Sequence, residues 1–485
     1  MIFRLLLSGM AETLRPDICV IGAGSGGLSV AAAAAVFGVS VVLIEKHKMG
    51  GDCLNTGCVP SKALLAAAKR AQVMRSSAAF GVTDSAVNID FDKVKDHVQR
   101  VIAAIAPTDS VERFAGLGVK VVQGHAKFKD RKTVVVGDEY EIRARRFVIA
   151  TGSRPAVPPT PGVDEGPYLT NDTVFDIAER PERLIVIGAG PIGLELAQAF
   201  RRLGSEVTVL EAATPLAKDD PECAAIVLDQ LEREGVVIRA GVKVTRVKHS
   251  IGNVAVTFAG ESGEETVEGA ALLVATGRKP TTDTLDLEAA GIKHDRSGIL
   301  VNKRLKTSNR RVYAIGDVAA GQLQFTHAAN YHAGLVIRNA LFRLRTKVNN
   351  DLIPWVTFTE PELAHIGIGE AQARARKLKF RVLRWPYHDN DRAQAEREVH
   401  GHIKVITSPK GVILGATIVG AQAGELIATW SLAVTQGLNI RALAGMVLPY
   451  PTLSEIGKRA AIDFFTPSLT SPRVRRIIGW LRIFG

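Results

Sequence analysis

The chain has 485 residues, 46% of them hydrophobic, with 45 glycines and 4 cysteines. That length suits two to four domains with sizeable cores, and so few cysteines exclude a disulfide-dense secreted scaffold and favour a reducing, cytoplasmic setting. A formal net charge of +12 favours anionic partners such as dinucleotides or an anionic lipid surface, but no basic–aromatic motif points to nucleic acid.

At the start, Ile2–Leu7 is too short for a signal-peptide core, and no cleavage site follows it. Met10 reads as an alternative start that leads directly into the first strand, residues 1–15 as an N-terminal extension, and the first nine of them as having no role in the fold. No apolar run in the chain reaches the length of a transmembrane helix. Asp17–Ile21 predicts a buried strand, Gly22-Ala23-Gly24-Ser25-Gly26-Gly27 opens an alanine-rich helix, and the strand Val41–Ile44 ends in Glu45. This is a dinucleotide fingerprint in its proper order. Gly22 makes the turn, Gly24 lets the backbone approach a pyrophosphate, Gly27 packs helix on strand, and Glu45 can accept from ribose hydroxyls. The helix N-terminus faces the phosphates.

Next comes Gly50-Gly51-Asp52-Cys53-Leu54-Asn55-Thr56-Gly57-Cys58-Val59-Pro60-Ser61-Lys62, followed by the helix-forming run Ala63–Arg70. Pro60 suits a first helical turn, which puts Cys58 at or just before the helix N-terminus, where a thiolate is favoured. Lys62 shares its face one turn on. Two buried cysteines or a structural disulfide are the bland alternatives. No cysteine spacing fits a metal site, so no resident metal is expected. Cys19, in an apolar strand, and Cys223, on the amphipathic run 220–233, read as inert.

Residues 63–115 predict long helices with a break at Phe80-Gly81-Val82, and 119–123 and 133–136 predict short strands. Strand 146–150 leads into Thr151-Gly152-Ser153, and proline-rich 155–167 reads as a linker. The pattern then repeats. Arg183–Ile187 leads to Gly188-Ala189-Gly190-Pro191-Ile192-Gly193, Val207–Leu210 ends in Glu211, and Ala275-Thr276-Gly277 echoes Ala150-Thr151-Gly152. Glu211 suits a free ribose 2′-hydroxyl and repels a 2′-phosphate, which favours NADH, with NADPH as the alternative. From about residue 347 the pattern becomes antiparallel strands (355–362, 402–406, 412–416) and helices, including 423–436. The basic run 371–384 reads as a solvated helix face and loop. In 471–485 a stripe of Val474, Ile477, Ile478, Leu481 and Phe484 is flanked by four arginines. It reads as a candidate peripheral membrane contact at the inner face, or as a tail that frays or packs on its own domain.

The segment 50–62 resembles the redox-active disulfide of the class I pyridine nucleotide-disulfide oxidoreductases, the group of lipoamide dehydrogenase, glutathione reductase and mercuric reductase. The resemblance covers about 16–467. It implies an α/β chain with two Rossmann-like domains, for FAD and NAD(P), plus a C-terminal α+β dimerisation domain that makes a homodimer. The implied organisation is FAD domain 16–155 and 281–346, NAD(P) domain 156–280, interface domain 347–466 and tail 467–485. It implies Cys58 nearest the flavin, Cys53 as the exchanging thiol, and Lys62 paired with Glu195 beside the flavin. FAD contacts are implied for Ala126, Thr151, Gly152, Ser153, Asp317 and Gln324-Phe325-Thr326-His327, and nucleotide contacts for Val244 and Gly277. The implied activity passes electrons from NADH through FAD and the dithiol to an acceptor: a disulfide, a metal ion or a quinone. Dihydrolipoamide dehydrogenase is the alternative enzyme, and a membrane-docked electron-supply flavoprotein the alternative of another class. Two departures stand out. Tyr450 replaces the histidine that family members place before Pro-Thr, although Glu455 remains, and a tyrosine is a poor base at neutral pH. Mercuric reductases share that tyrosine but add a terminal cysteine pair, and this chain has no cysteine after Cys223. That argues against efficient mercuric ion reduction.

Overall fold

The computed structural model describes residues 11–83, 86–261, 263–469 and 471–484. Most of the expected N-terminal extension, with Ile2–Leu7 and Met10, lies outside them, as does Gly485, but Glu12–Leu14 is a strand paired in parallel with Tyr140–Ile142, so the extension does not reach residue 15. The chain divides into two compact units: Met1–Gly188, Arg202–Glu206 and Lys243–Asn350 in one, and Ala189–Arg201, Val207–Val242 and Asp351–Gly485 in the other.

The first unit is built on a five-stranded parallel sheet in the order Val312–Ala314, Arg146–Ile149, Ile18–Ile21, Val41–Glu45, Val119–Gln123. Two of its inner strands, Ile18–Ile21 and Val41–Glu45, are buried at every position, as expected for parallel strands covered on both faces. The helix Ser25–Val36 and the helix Thr326–Ala340 share one face, where Leu28, Val30, Ala31, Ala333 and Val336 close a core on Ile18, Val20 and Leu43. The other face packs on strands 126–130 and 133–136 through Phe128, Val134 and Phe147. A parallel pair, Arg183–Ile187 with Ala271–Val274, and an antiparallel three-stranded sheet over 243–269 complete the unit.

The second unit pairs Glu206–Glu211 with Val236–Ala240 in parallel through residues 207–211 and 236–240. It carries a five-stranded antiparallel sheet in the order Trp355–Thr357, Glu362–Gly367, Ile413–Gly420, His402–Thr407, Arg381–Pro386. Helices Ala423–Thr435 and Glu455–Asp463 cover it through Ile427, Trp430, Ile456 and Ala460. Two expectations are corrected here. Residues 355–362 are not one strand, because Thr357 ends one and Glu362 begins the next, with a cis Glu360–Pro361 bond between them. The basic run is only partly a solvated face. Its last residues form the edge strand Arg381–Pro386, where the Arg384 guanidinium pairs with Glu222 at 2.9 Å. The acids that draw it in come from the start of helix Pro221–Arg233, a site that also holds the buried Lys404 ammonium 2.7 Å from Asp220 and 2.9 Å from Glu370. Arg384 holds the Glu222 carboxyl down at about 2.

Candidate active site

The site grows from the first glycine turn. Gly22 has φ +102°, and a Cβ there would lie 2.5 Å from the Ala150 carbonyl oxygen, so only glycine fits. A Cβ on Gly27 would lie 1.9 Å from the Gly22 oxygen, which is the close helix–strand packing the motif requires. Gly24 caps helix Ser25–Val36 with no side-chain bond, and no acid stands in the first turn. The helix N–H groups are thus left for an anion. This cradle fits the pyrophosphate of a dinucleotide.

Glu45 is fastened to this turn. One carboxylate oxygen accepts from the Ala23 N–H at 2.7 Å, the other from the His47 N–H at 2.8 Å. The second turn repeats the device. Gly188 has φ +108° with its Cβ position 2.5 Å from the Ala275 oxygen. Glu211 accepts from Ala189 at 2.7 Å and Ala213 at 2.8 Å. Beside Gly190 there is open space. Gly193 is buried in helix Pro191–Arg202, which has no acid in its first turn.

The two echoing Thr-Gly turns pair with each other. Strands Ser153–Pro155 and Arg278–Pro280 run antiparallel. The Thr151 hydroxyl donates to the Thr281 carbonyl at 2.8 Å, and that of Thr276 to the Ala156 carbonyl at 2.7 Å. Gly152 and Gly277 both take positive φ.

Against the first turn lies the short helix Gly51–Asn55, which carries Cys53. The Gly50 N–H donates to the Ala23 carbonyl at 3.0 Å, and a Cβ on Gly51 would sit 2.6 Å from the Gly24 Cα. Helix Cys58–Ser76 then begins at Cys58 itself, with Pro60 in its first turn. The helix under Cys53 was not expected from the sequence. Both cysteines are free thiols, hydrogen-bonded to one another. The Cys53 thiol donates, and this bond with burial holds its pKa up. Cys58 is lowered to about 6, first by that bond, then by the Thr326 hydroxyl 3.4 Å away and the Lys62 charge. Cys58 is the thiolate of the pair. Burial instead pushes the Cys19 and Cys223 thiols up.

Asp52, next to Cys53, works against a thiolate at both sulfurs. Arg278 answers it at 2.6 Å. The same guanidinium donates to the Ser153 hydroxyl at 2.7 Å, which donates to Asp317 at 2.6 Å. Burial raises the Asp317 carboxyl, opposed by Ser153 and Arg278. Arg278 was missed as a site residue. The available signal was that it stands in the second turn where Ser153 stands in the first.

Of the remaining residues, Phe325 caps helix Thr326–Ala340, and its ring stacks on His327 with centroids 5.3 Å apart. Gln324 is exposed. Thr326, expected at the flavin, touches both thiols. Ala126 is buried at the start of its strand, and Val244 sits at a bulge in strand Lys243–Ser250. Glu195 belongs to the second unit, where it is buried and accepts from the Phe358 N–H at 2.9 Å. In that unit Tyr450 is 71% exposed, and its hydroxyl donates to Asp391 at 2.7 Å. That bond raises the phenol pKa further, so still less phenolate is present at neutral pH than in a free tyrosine. Glu455 opens helix Glu455–Asp463.

Comparison with known proteins gives two family matches, "Pyridine nucleotide-disulphide oxidoreductase" over residues 16–333 and its dimerisation domain over 353–461. A mercuric reductase of Staphylococcus aureus is 35% identical over 92% of this chain and 82% of its own length. A dihydrolipoyl dehydrogenase of the same species is 36% identical over 92% of this chain and 96% of its own. Among solved structures, the HOCl-induced flavoprotein disulfide reductase RclA of Escherichia coli, in a Cu(II) complex, matches with TM-score 0.81 and 29% identity, over 94% of this chain and 100% of that one.

Proposed function

Because the chain belongs to the pyridine nucleotide-disulphide oxidoreductases, a family of FAD-dependent enzymes that use NAD(P)H, we propose that it passes electrons from NADH to a small oxidant through Cys53 and Cys58. The observation that carries this reading is the Cys58 thiol at the start of its helix, bonded to Cys53 and 3.4 Å from the Thr326 hydroxyl, with the Lys62 charge favouring its thiolate. FAD, when bound, supplies the two-electron link between nicotinamide and dithiol. Gly22, Gly24, Gly27, Glu45, Ala126, the turn 151–153, Asp317 and the segment 324–327 would hold it. Gly188, Gly190, Gly193, Glu211, Val244 and Gly277 would hold the nucleotide, and the Glu211 carboxylate favours NADH over NADPH. Lys62 would pair with Glu195 and keep positive charge beside the Cys58 thiolate.

The chain's own residues set the proton path. The Cys53 thiol donates to Cys58, and because the same bond holds Cys53 up and Cys58 down, that proton would pass to Cys58 only as Cys53 forms its new bond. As that proton moves, Cys53 attacks a disulfide acceptor and expels one thiol. Cys58 then gives up the proton, displaces the second thiol, and closes the Cys53–Cys58 bond. The acceptor gains two electrons and two protons, one of the protons from solvent. Tyr450, bonded to Asp391, contributes no base. A thiophilic metal ion needs none, since it displaces thiol protons on binding. Two Cu(II) ions, each taking one electron, would oxidise the dithiol to the disulfide. The Cu(II) complex of the RclA relative supports ranking a metal ion above a disulfide or quinone. The same tyrosine disfavours dihydrolipoamide dehydrogenase activity. In this reading the enzyme is a cytoplasmic homodimer.

Anaerobic titration with NADH, and separately NADPH, tests the reading. A long-wavelength absorbance band after two electrons is expected with NADH, and flavin bleaching without that band would remove the dithiol from the electron path. Cys53→Ser should abolish acceptor reduction while NADH-dependent dye reduction survives. Full acceptor turnover by that variant would refute the role given to Cys53.

A further inference from the structure

The last helix of the chain is absorbed by none of this chemistry. Pro472–Leu481 is stopped at its start by Ser471, whose hydroxyl accepts from the Val474 N–H at 3.4 Å. Ile477, Ile478 and Leu481 fall on one face at helical spacing, continued by Phe484 in the terminal turn. With Trp480 they are between 52 and 74% exposed. The Trp480 and Phe484 rings meet edge-on at 5.3 Å. Arg475, Arg476 and Arg482 line the opposite face, Arg473 lies on the flank, and no acid follows Asp463. The core of this unit takes in Phe464 and Phe465, but none of the described residues beyond them. A soluble surface helix normally turns its apolar face to the core. Here that face is turned outward and framed by cations alone.

We infer that residues 471–484 dock the enzyme on an anionic lipid bilayer, lying in the plane of its surface. A 10-residue helix is too short to span the hydrocarbon core. Its length and polarity suit the interface instead, with the apolar stripe at the acyl boundary, Trp480 at headgroup depth and the arginines on lipid phosphates. Charge complementarity selects this occupant over a second copy of the chain, which would bring four more arginines and no acid from the same segment. A single helix of this size binds reversibly and depends on salt.

The test is sedimentation with vesicles of mixed phosphatidylglycerol and phosphatidylcholine, and of phosphatidylcholine alone. Full-length protein is compared with Arg475→Glu/Arg476→Glu, with Ile478→Asp/Leu481→Asp and with a chain ending at Pro467. The full chain is expected to sediment with the anionic vesicles, with binding at least tenfold weaker in each variant, on pure phosphatidylcholine and in high salt. Trp480 fluorescence should shift to the blue on binding. Flavin content and NADH-dependent dye reduction in solution should be unchanged in all variants. Equal binding by the full and shortened chains, or by neither, would overturn the inference. So would a shortened chain that sediments as a monomer where the full chain is a dimer, because the tail would then belong to the subunit contact.

Discussion

The two glycine turns are nearly the same object built twice. Gly22 and Gly188 share their φ to within a few degrees, at +102° and +108°, and both would collide with a carbonyl oxygen at 2.5 Å if they carried a Cβ. Each turn is tied by a strand-end glutamate through two backbone N–H groups. They differ in what lies over the middle glycine. Gly51, whose helix carries Cys53, packs on Gly24 so closely that its own Cβ position is 2.6 Å from the Gly24 Cα, while among the described residues nothing lies within 4 Å of the Cβ position of Gly190. One turn is clamped to the dithiol and suits a cofactor that stays. The other is open and suits one that comes and goes. A repeated motif therefore sets chemistry through its neighbours, not through its own residues.

The largest effect should come from adding a methyl group to the clamped turn. Gly22→Ala combines a left-handed φ with a backbone collision, each costing about 1–3 kcal/mol, and should purify without flavin, read from the visible spectrum. Gly51→Ala meets the Gly24 Cα at 2.6 Å and should lose flavin as well. Gly190→Ala should keep its flavin and raise the KM for NADH about tenfold, equivalent to ~1.4 kcal/mol. Flavin loss in Gly190→Ala would erase the distinction between the turns.

Next is Arg278→Met. It leaves the Asp52 carboxylate unanswered beside both sulfurs. The midpoint for forming the Cys58 thiolate should move up by about one pH unit, read from the long-wavelength band of the two-electron-reduced enzyme. In the unaltered enzyme that band should be full above pH 8 and fall away as pH drops through about 6, because the thiolate is the form stabilised and acid removes it. A band that persists undiminished well below that pH would contradict the assignment of Cys58. The smallest effect is expected for Tyr450→Phe, which removes an exposed hydroxyl bonded to Asp391. Dye reduction should not change, and acceptor reduction should change less than about twofold, within the range of an exposed polar contact.

What the sequence disclosed follows the range of the forces involved. Glycines at positive φ, apolar strands and Pro60 in a first turn are local requirements, so residues 17–45, 58–62 and 183–211 were legible from residue type and order. The contacts that tune the sulfurs were not. Arg278 reaches Ser153 across 125 residues of sequence, through the antiparallel pairing of two turns that no periodicity announces. Thr326 read as part of a flavin segment, and only the tertiary fold brings its hydroxyl to Cys58. Arg384 read as solvated because Glu222, its partner at 2.9 Å, stands 162 residues away in sequence.

The glutamate ties bear on how such an enzyme changes coenzyme over generations. In each turn the residue that would distinguish one ribose from another is also a structural rivet, holding the loop closed with both oxygens. Replacing Glu211 to admit a phosphate-bearing coenzyme would therefore remove two bonds from the turn at the same time as it removed the negative charge.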